Sequence, residues 1–299
     1  NKSSSAFASR LCKTAQWPLA IFLGMFSAVS SAGAVEIAQQ PLYAGSQVPG
    51  NISLVPSVEF PTILSQANLD AYTTSRTYVG YFDAGKCYKY NYGTDERNQY
   101  FYPVGLAANR SCSNSKEWSG NYLNWALTQT IDPFRSALTG GHRVIDEVGF
   151  TVLEKARHDR RSYFPDRVIS SGVSAAAGST WSTLAVRVEG LGNKIYFGSS
   201  ADKVKDPSSS VIVDFDPDKH DLTGGKYPSN AGGGLNNKDR SSFVYRFTAR
   251  VRVCDVRSLG QAGLEDNCVQ YPNGDWKPEG LIQEYSDRIR YSIFGYLND

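Results

Sequence analysis

Histidine is scarce in this 299-residue chain, with three in all, and cysteine is limited to five. His142, His158 and His220 lie among charged or small residues, far in sequence from the cysteines, and no C-x-x-C pair occurs. Such spacing argues against a structural zinc site, which draws nitrogen and sulfur ligands close together. The chain also lacks a G-x-S-x-G elbow, an H-E-x-x-H helix, a P-loop and a glycine fingerprint for dinucleotides. Nothing argues for an enzyme, and no cofactor is expected in this region. Beyond the first 34 residues no apolar run approaches the roughly 20 residues that a bilayer demands.

The first 34 residues read as an export signal. Lys2, Arg10 and Lys13 form a positive start, residues 17–29 an apolar core, and Ala32-Gly33-Ala34 a small-residue cleavage site before Val35. Its removal takes three of the 31 basic residues and leaves 28 against 29 acidic ones, a net charge of −1. No global field then favours nucleic acid. The mature chain is expected on the far side of the membrane, with length enough for one large domain or two small ones.

Cys12 leaves with the signal, so Cys87, Cys112, Cys254 and Cys268 remain as an even set in an oxidising compartment. Three pairings are possible. The local ones, Cys87 with Cys112 and Cys254 with Cys268, are preferred because each closes a loop rich in Gly, Asn and Ser. Each bridge should stabilise by about 3 kcal/mol.

Regular structure is suggested in blocks. Residues 51–59 read as a buried strand between Pro49-Gly50 and Pro61. Ten aromatics fall within residues 72–102, among them Tyr78, Tyr81, Phe82, Tyr88, Tyr90 and Tyr92, and they are read as packing against the helix that follows. In that helix Leu123, Leu127, Ile131, Phe134 and Leu138 share one stripe, Ser119 is the cap, and Gly140-Gly141 is the stop. Pro133 should kink it, or restart it with Asp132 as a new cap.

Residues 168–242 read as a β-rich insertion. It holds a hairpin from Leu184, Val186 and Val188 to residues 194–198, a strand over 211–215, and an exposed glycine-rich loop over 222–242. Residues 243–254 alternate as a strand with basic side chains on one face, 278–290 follow as a helix with Leu281, Ile282, Tyr285 and Ile289 together, and 291–297 close as a strand. The order suits a mixed α/β (α+β) core, in parts 35–167 and 243–299, interrupted by the insertion.

Two blocks of wording are more specific than periodicity. The first runs through Cys87-Tyr88, Tyr100-Phe101-Tyr102-Pro103-Val104, Cys112, Trp118-Ser119-Gly120-Asn121-Tyr122-Leu123-Asn124-Trp125, Ile131-Asp132-Pro133-Phe134-Arg135 and Val152-Leu153-Glu154-Lys155-Ala156. The second runs through Val251-Arg252-Val253-Cys254-Asp255, Leu264-Glu265-Asp266-Asn267-Cys268 and Lys277-Pro278-Glu279-Gly280-Leu281-Ile282-Gln283, closing on Phe294-Gly295-Tyr296-Leu297-Asn298-Asp299. Together they resemble the N-terminal region of PilC/PilY-type proteins, the tip-associated adhesins and assembly factors of type IV pili.

That resemblance implies several things. The core sheet would be a degenerate von Willebrand A-like fold, and the chain would stop before a C-terminal propeller-like region where the family's calcium loop belongs. Partners would be minor pilins, the assembly machinery and a host or abiotic surface. The location would be the periplasm, the outer membrane surface and the pilus tip. Action would be by binding.

The metal motif D-x-S-x-S of such folds is absent where the first strand ends, since residues 57–61 read Ser-Val-Glu-Phe-Pro. A literal match at residues 206–210 precedes a strand and is read as a linker. Asp214, Asp216 and Asp218 have the one-three-five spacing of a calcium loop, with His220 and Asp221 near; Lys219 stands where Gly is needed and Gly225 where Glu is needed. They remain the candidate metal ligands. Arg157, His158, Arg160, Arg161 and Arg167, interleaved with Asp159 and Asp166, are read as a solvated surface. The alternative function is a secreted glycan-binding module or glycoside hydrolase, which requires a groove lined by the residue 72–102 aromatics facing paired carboxylates.

Overall fold

The structure, a computed structural model, describes residues 49–56, 65–157, 167–188, 192–205, 211–222 and 243–295, all within the unit Val48–Asp299. The signal segment, residues 57–61, the 206–210 match, residues 158–166 and positions 223–242 of the glycine-rich loop lie outside the described residues. In chain order come β1 (Gly50–Leu54), β2 (Lys86–Asn91), β3 (Tyr100–Leu106), β4 (Trp118–Ser119), α1 (Gly120–Leu127), α2 (Ile131–Thr139), β5 (Arg143–Glu147) and β6 (Phe150–Glu154). Next are β7 (Arg167–Ile169), α3 (Val173–Ala177), β8 (Leu184–Val188), β9 (Lys194–Gly198), α4 (Ala201–Lys205) and β10 (Val211–Asp214). The last set is β11 (Phe243–Thr248), β12 (Arg250–Val253), α5 (Val256–Leu259), β13 (Cys268–Gln270), β14 (Trp276–Pro278), α6 (Leu281–Glu284) and β15 (Ile289–Ile293).

Two sheets dominate. The six-stranded sheet has the order β4-β2-β3-β12-β6-β5 and the five-stranded sheet the order β10-β11-β9-β8-β7. The alternating segment from Phe243 to Val253 serves both. It breaks at Ala249, whose amide donates to Asn193 O at 2.7 Å and whose carbonyl accepts from Lys155 N at 3.2 Å. Before the break β11 pairs with β9 and β10; after it β12 pairs with β3 and β6. The single strand expected over 243–254 is therefore two strands in two sheets.

Aromatic rings fill the space where the sheets meet. Phe247 stacks on Phe101 at 5.7 Å and on Phe215 at 4.5 Å, and meets Tyr90, Trp118 and Phe197 edge-on at 4.9, 5.3 and 5.4 Å. Tyr78, Tyr81, Phe82, Tyr88 and Tyr90 are buried in the same core as Leu123 and Trp125 of α1, so this part of the aromatic block packs on the helix as expected. The far face of the five-stranded sheet lies under α4, where Val204 joins Ala185, Tyr196 and Val244 in a small second cluster. Covering both faces makes every residue of β8 buried.

The mixed α/β character matches expectation, but the von Willebrand A-like core is not confirmed by these sheets. Pairing among the described strands is mainly antiparallel, with parallel contacts at β3–β12, β10–β11 and β1–β15. Three local expectations need correction. The strand at β1 is exposed, because it pairs only with β15 in a separate two-stranded ribbon. The helix expected over 278–290 is the single turn α6, since residues 289–293 are taken as strand by β1. On the third, the long helical stripe is interrupted after Leu127, and Phe134 is 42% exposed. Among the described residues no helix is long and apolar enough to cross a membrane.

Candidate functional site

α1 is a template for the irregular segment before β2. Ser119 caps it by accepting from Tyr122 N at 3.3 Å, and Asn121 and Asn124, three residues apart, share one buried face. Asn121 Oδ1 accepts from Tyr78 N at 2.9 Å and its Nδ2 donates to Arg76 O at 2.9 Å. Asn124 Oδ1 accepts from Phe82 N at 3.1 Å, and its Nδ2 donates to Tyr78 O at 2.9 Å and Phe82 O at 2.7 Å. Asn68 completes the set, donating to Val79 O at 2.8 Å and to Asn124 O at 3.0 Å while accepting from Val79 N at 3.1 Å. A buried loop must satisfy its backbone somewhere, and here side-chain amides do what a ladder partner would do. Counting apolar periodicity missed these residues; the available signal was the paired asparagines inside a buried helix.

The opposite wall is α2 with the segment that enters α6. α2 restarts at Thr130 rather than at Asp132. Asp132 instead accepts from Ala156 N at 2.8 Å and, at 3.4 Å, from Gln129 N. Burial raises its carboxyl pKa, to about 6, against the opposing pull of Lys155 and these hydrogen bonds. α2 ends at Gly140 with φ of 78°, the left-handed stop that the sequence suggested. A side chain at Gly140 would collide with Pro278 O, and one at Gly280 with the Leu138 backbone. These two glycines let the 278–284 segment lie directly on the end of α2, where Gln283 Nε2 donates to Thr139 O at 3.2 Å.

Between the walls lies a half-open groove of about 1210 Å³. Val79, Val269 and Leu281 line it while 54%, 44% and 45% exposed. Its charged lining is Asp83, Asp266, Glu279 and Glu284 against Arg110. Arg110 turns back onto the loop, donating to Thr77 Oγ1 and Thr74 O at 2.9 Å each. Asp83 lies 3.2 Å from Lys86, and Glu279 accepts from Tyr271 Oη at 2.5 Å. Asp266 and Glu284 are exposed and have no ion pair among the described residues.

The candidate metal ligands lie elsewhere. Asp214 is held by Arg246 Nε at 2.5 Å and Nη2 at 2.9 Å. Asp216 accepts from Lys219 at 2.8 Å and from Asp218 N at 3.0 Å; burial would raise its carboxyl, but these bonds prevail and hold it below the usual range. Asp218 is exposed, and among the described residues the three carboxylates do not converge on a point. The group that does converge is Cys254, Glu265 and Cys268, but its sulfurs are joined to each other. The basic run also separates. Arg157 pairs with Glu154 at 2.5 Å, whereas Arg167 is buried, with its guanidinium 3.9 Å above the Trp125 ring and donating to Asn68 O at 2.6 Å. Arg167 is thus a core residue, not part of a solvated surface, because carbonyls and a ring replace its water. Of the aromatics nominated for a glycan groove, Tyr78 and Phe82 border the one described above, whereas Tyr81, Tyr88 and Tyr90 are buried in the core and do not line it.

Comparison with known proteins places this architecture. Residues 69–184, which include Asn121, Asn124 and α2, match the family model "PilY1 homolog, small alpha/beta domain". Residues 69–184 are a PilY1-type domain. The chain is 47% identical over 273 residues to a "Type IV pilus biogenesis factor PilY1 homolog" of Xylella fastidiosa strain Temecula1, covering 89% of this chain and 21% of that protein. A second protein of the same name and strain is 28% identical over 254 residues, covering 74% of this chain and 15% of that protein. The chain thus spans about a fifth or less of the length of these relatives. No solved structure matches it. The groove draws one wall from this PilY1-type domain and the other partly from the 266–284 segment beyond it.

Proposed function

We propose that the chain serves type IV pilus biogenesis by binding other proteins, as an exported, cystine-braced scaffold and not as a catalyst. The observation that carries this reading is the 47% identity, over nearly the whole chain, to a protein named a type IV pilus biogenesis factor. Its partners are minor pilins and the assembly machinery, and its place is the periplasm, the outer membrane surface and the pilus tip, where it also contributes to surface attachment. The bridges Cys87–Cys112 and Cys254–Cys268 support export, since such bonds persist in oxidising compartments. They also suit a part that bears load during pilus extension and retraction.

The test is a pull-down of secreted chain against minor pilins, with and without chelator, paired with piliation of cells whose full-length protein lacks this region. Capture of pilins and loss of surface pili are expected. Normal piliation with no pilin captured would overturn the reading. Capture abolished by chelation would return a metal to the account.

A further inference from the structure

We infer that the groove between the 77–85 loop and the 278–284 segment is a docking site for a basic peptide segment bearing aliphatic side chains, contributed by a protein partner. The inference rests on the binding role proposed above and assigns it a surface.

Charge selects the sign of the ligand. Four carboxylates and one guanidinium line the groove, and that guanidinium is already committed to Thr77 and Thr74. Asp266 and Glu284 have no cation of their own among the described residues. Lysine or arginine side chains entering here would find unneutralised carboxylates flanked by apolar surface, where the field is stronger than in open water.

Apolar lining selects the rest. Single exposed aliphatic residues are ordinary on a protein surface, but Val79, Val269 and Leu281 open into one concavity. A ligand with charge alone would leave them wet. Its volume of about 1210 Å³ exceeds the roughly 300–1,000 Å³ of small-molecule sites. An open channel of that size fits a run of residues.

The walls are set before any ligand arrives. Asn121 and Asn124 hold the loop backbone that presents Val79 and Asp83, and the close approach at Gly140 and Gly280 seats the segment that presents Leu281 and Glu284. A site whose backbone is already ordered loses less entropy on binding than one that must fold around its ligand.

The experiment is selection of a random-peptide display library on the immobilised full chain, followed by fluorescence anisotropy of the enriched peptides. Three proteins are compared: the unaltered chain, the pair Asp266→Lys with Glu284→Lys, and the pair Val79→Ser with Leu281→Ser. All four positions are exposed, so melting temperatures should match and folding is not at issue. Enriched peptides should carry Lys or Arg among aliphatic residues, bind at least tenfold more weakly to either pair, and weaken as salt rises. No enrichment, acidic or uncharged winners, or binding indifferent to both pairs would overturn the inference. The outcome is separable from the pilus reading. Pilin capture unchanged by charge reversal removes the groove and keeps the pilus role; basic-peptide binding without pilin capture does the reverse.

Discussion

Lys86 Nζ lies 2.7 Å from Glu265 Oε1, joining residues 179 apart in sequence, and the two side chains are only 2% and 12% exposed. Lys86 immediately precedes Cys87, which is bridged to Cys112, and Glu265 Oε2 accepts from Cys254 N at 2.8 Å. The ion pair is therefore a strut between the two cystine loops. Asp83, 3.2 Å from the same ammonium, ties the groove loop to that strut.

Removing one member of this pair should cost more than removing both. Glu265→Gln leaves a buried ammonium with Asp83 alone and should destabilise by about 3 kcal/mol. Adding Lys86→Met should recover part of that loss, giving a non-additive cycle in urea unfolding. Single variants that each cost under about 0.5 kcal/mol would show the strut to be incidental.

Asn124→Ala strands the Phe82 amide and the Tyr78 and Phe82 carbonyls. A loss of about 3 kcal/mol is expected, with faster hydrogen exchange at the Phe82 amide while β8 and β9 stay protected. Unchanged exchange at that amide would mean that this part of the loop does not depend on Asn124.

Phe247→Ala should cost about 3–5 kcal/mol, because one ring fills the space between both sheets. Loosening should reach β3 and β9 together, read as exchange in strands of different sheets. Loosening confined to one sheet would contradict a shared core.

Two buried carboxylates give opposite responses to acid. Burial would raise Glu154, but hydrogen bonds from Arg157, Asn193 and Arg250 outweigh it and hold its pKa down. Its contribution is present above the unfolded carboxylate pKa and is lost as pH falls through the lower folded value. Asp132 is raised by burial, so its cost is relieved as pH falls through about 6. Stability should rise slightly from pH 7 toward 5 and then collapse; Asp132→Asn should flatten the rise, and Glu154→Gln should lower stability at pH 7 and weaken the collapse. Variants that leave the profile unaltered would contradict both assignments.

Local chemistry was readable in the sequence. Ser119, Gly140 and the 184–198 hairpin act within a few residues of themselves, and the cystines join the cysteines nearest in the chain. Long-range competition was not. Residues 289 and 290 left the helical pattern and joined the closing strand because β1, over 230 residues earlier, offered a strand partner. Phe134 kept its period on α2 but the core did not reach it. Ala249 interrupts an alternation with no break in composition, since the switch is made by Asn193 and Lys155 from other segments. The groove was least legible of all. Its residues come from six stretches between Thr77 and Glu284, and nothing local marks an acid such as Asp266 as unpaired.

Thermal unfolding of the full chain, followed together by tryptophan fluorescence and circular dichroism with and without reductant, tests the central claim that both cystine segments fold as one body. One cooperative transition is expected, falling by about 10–20 °C when the bridges are reduced. Two separate transitions, or a midpoint unmoved by reductant, would contradict it.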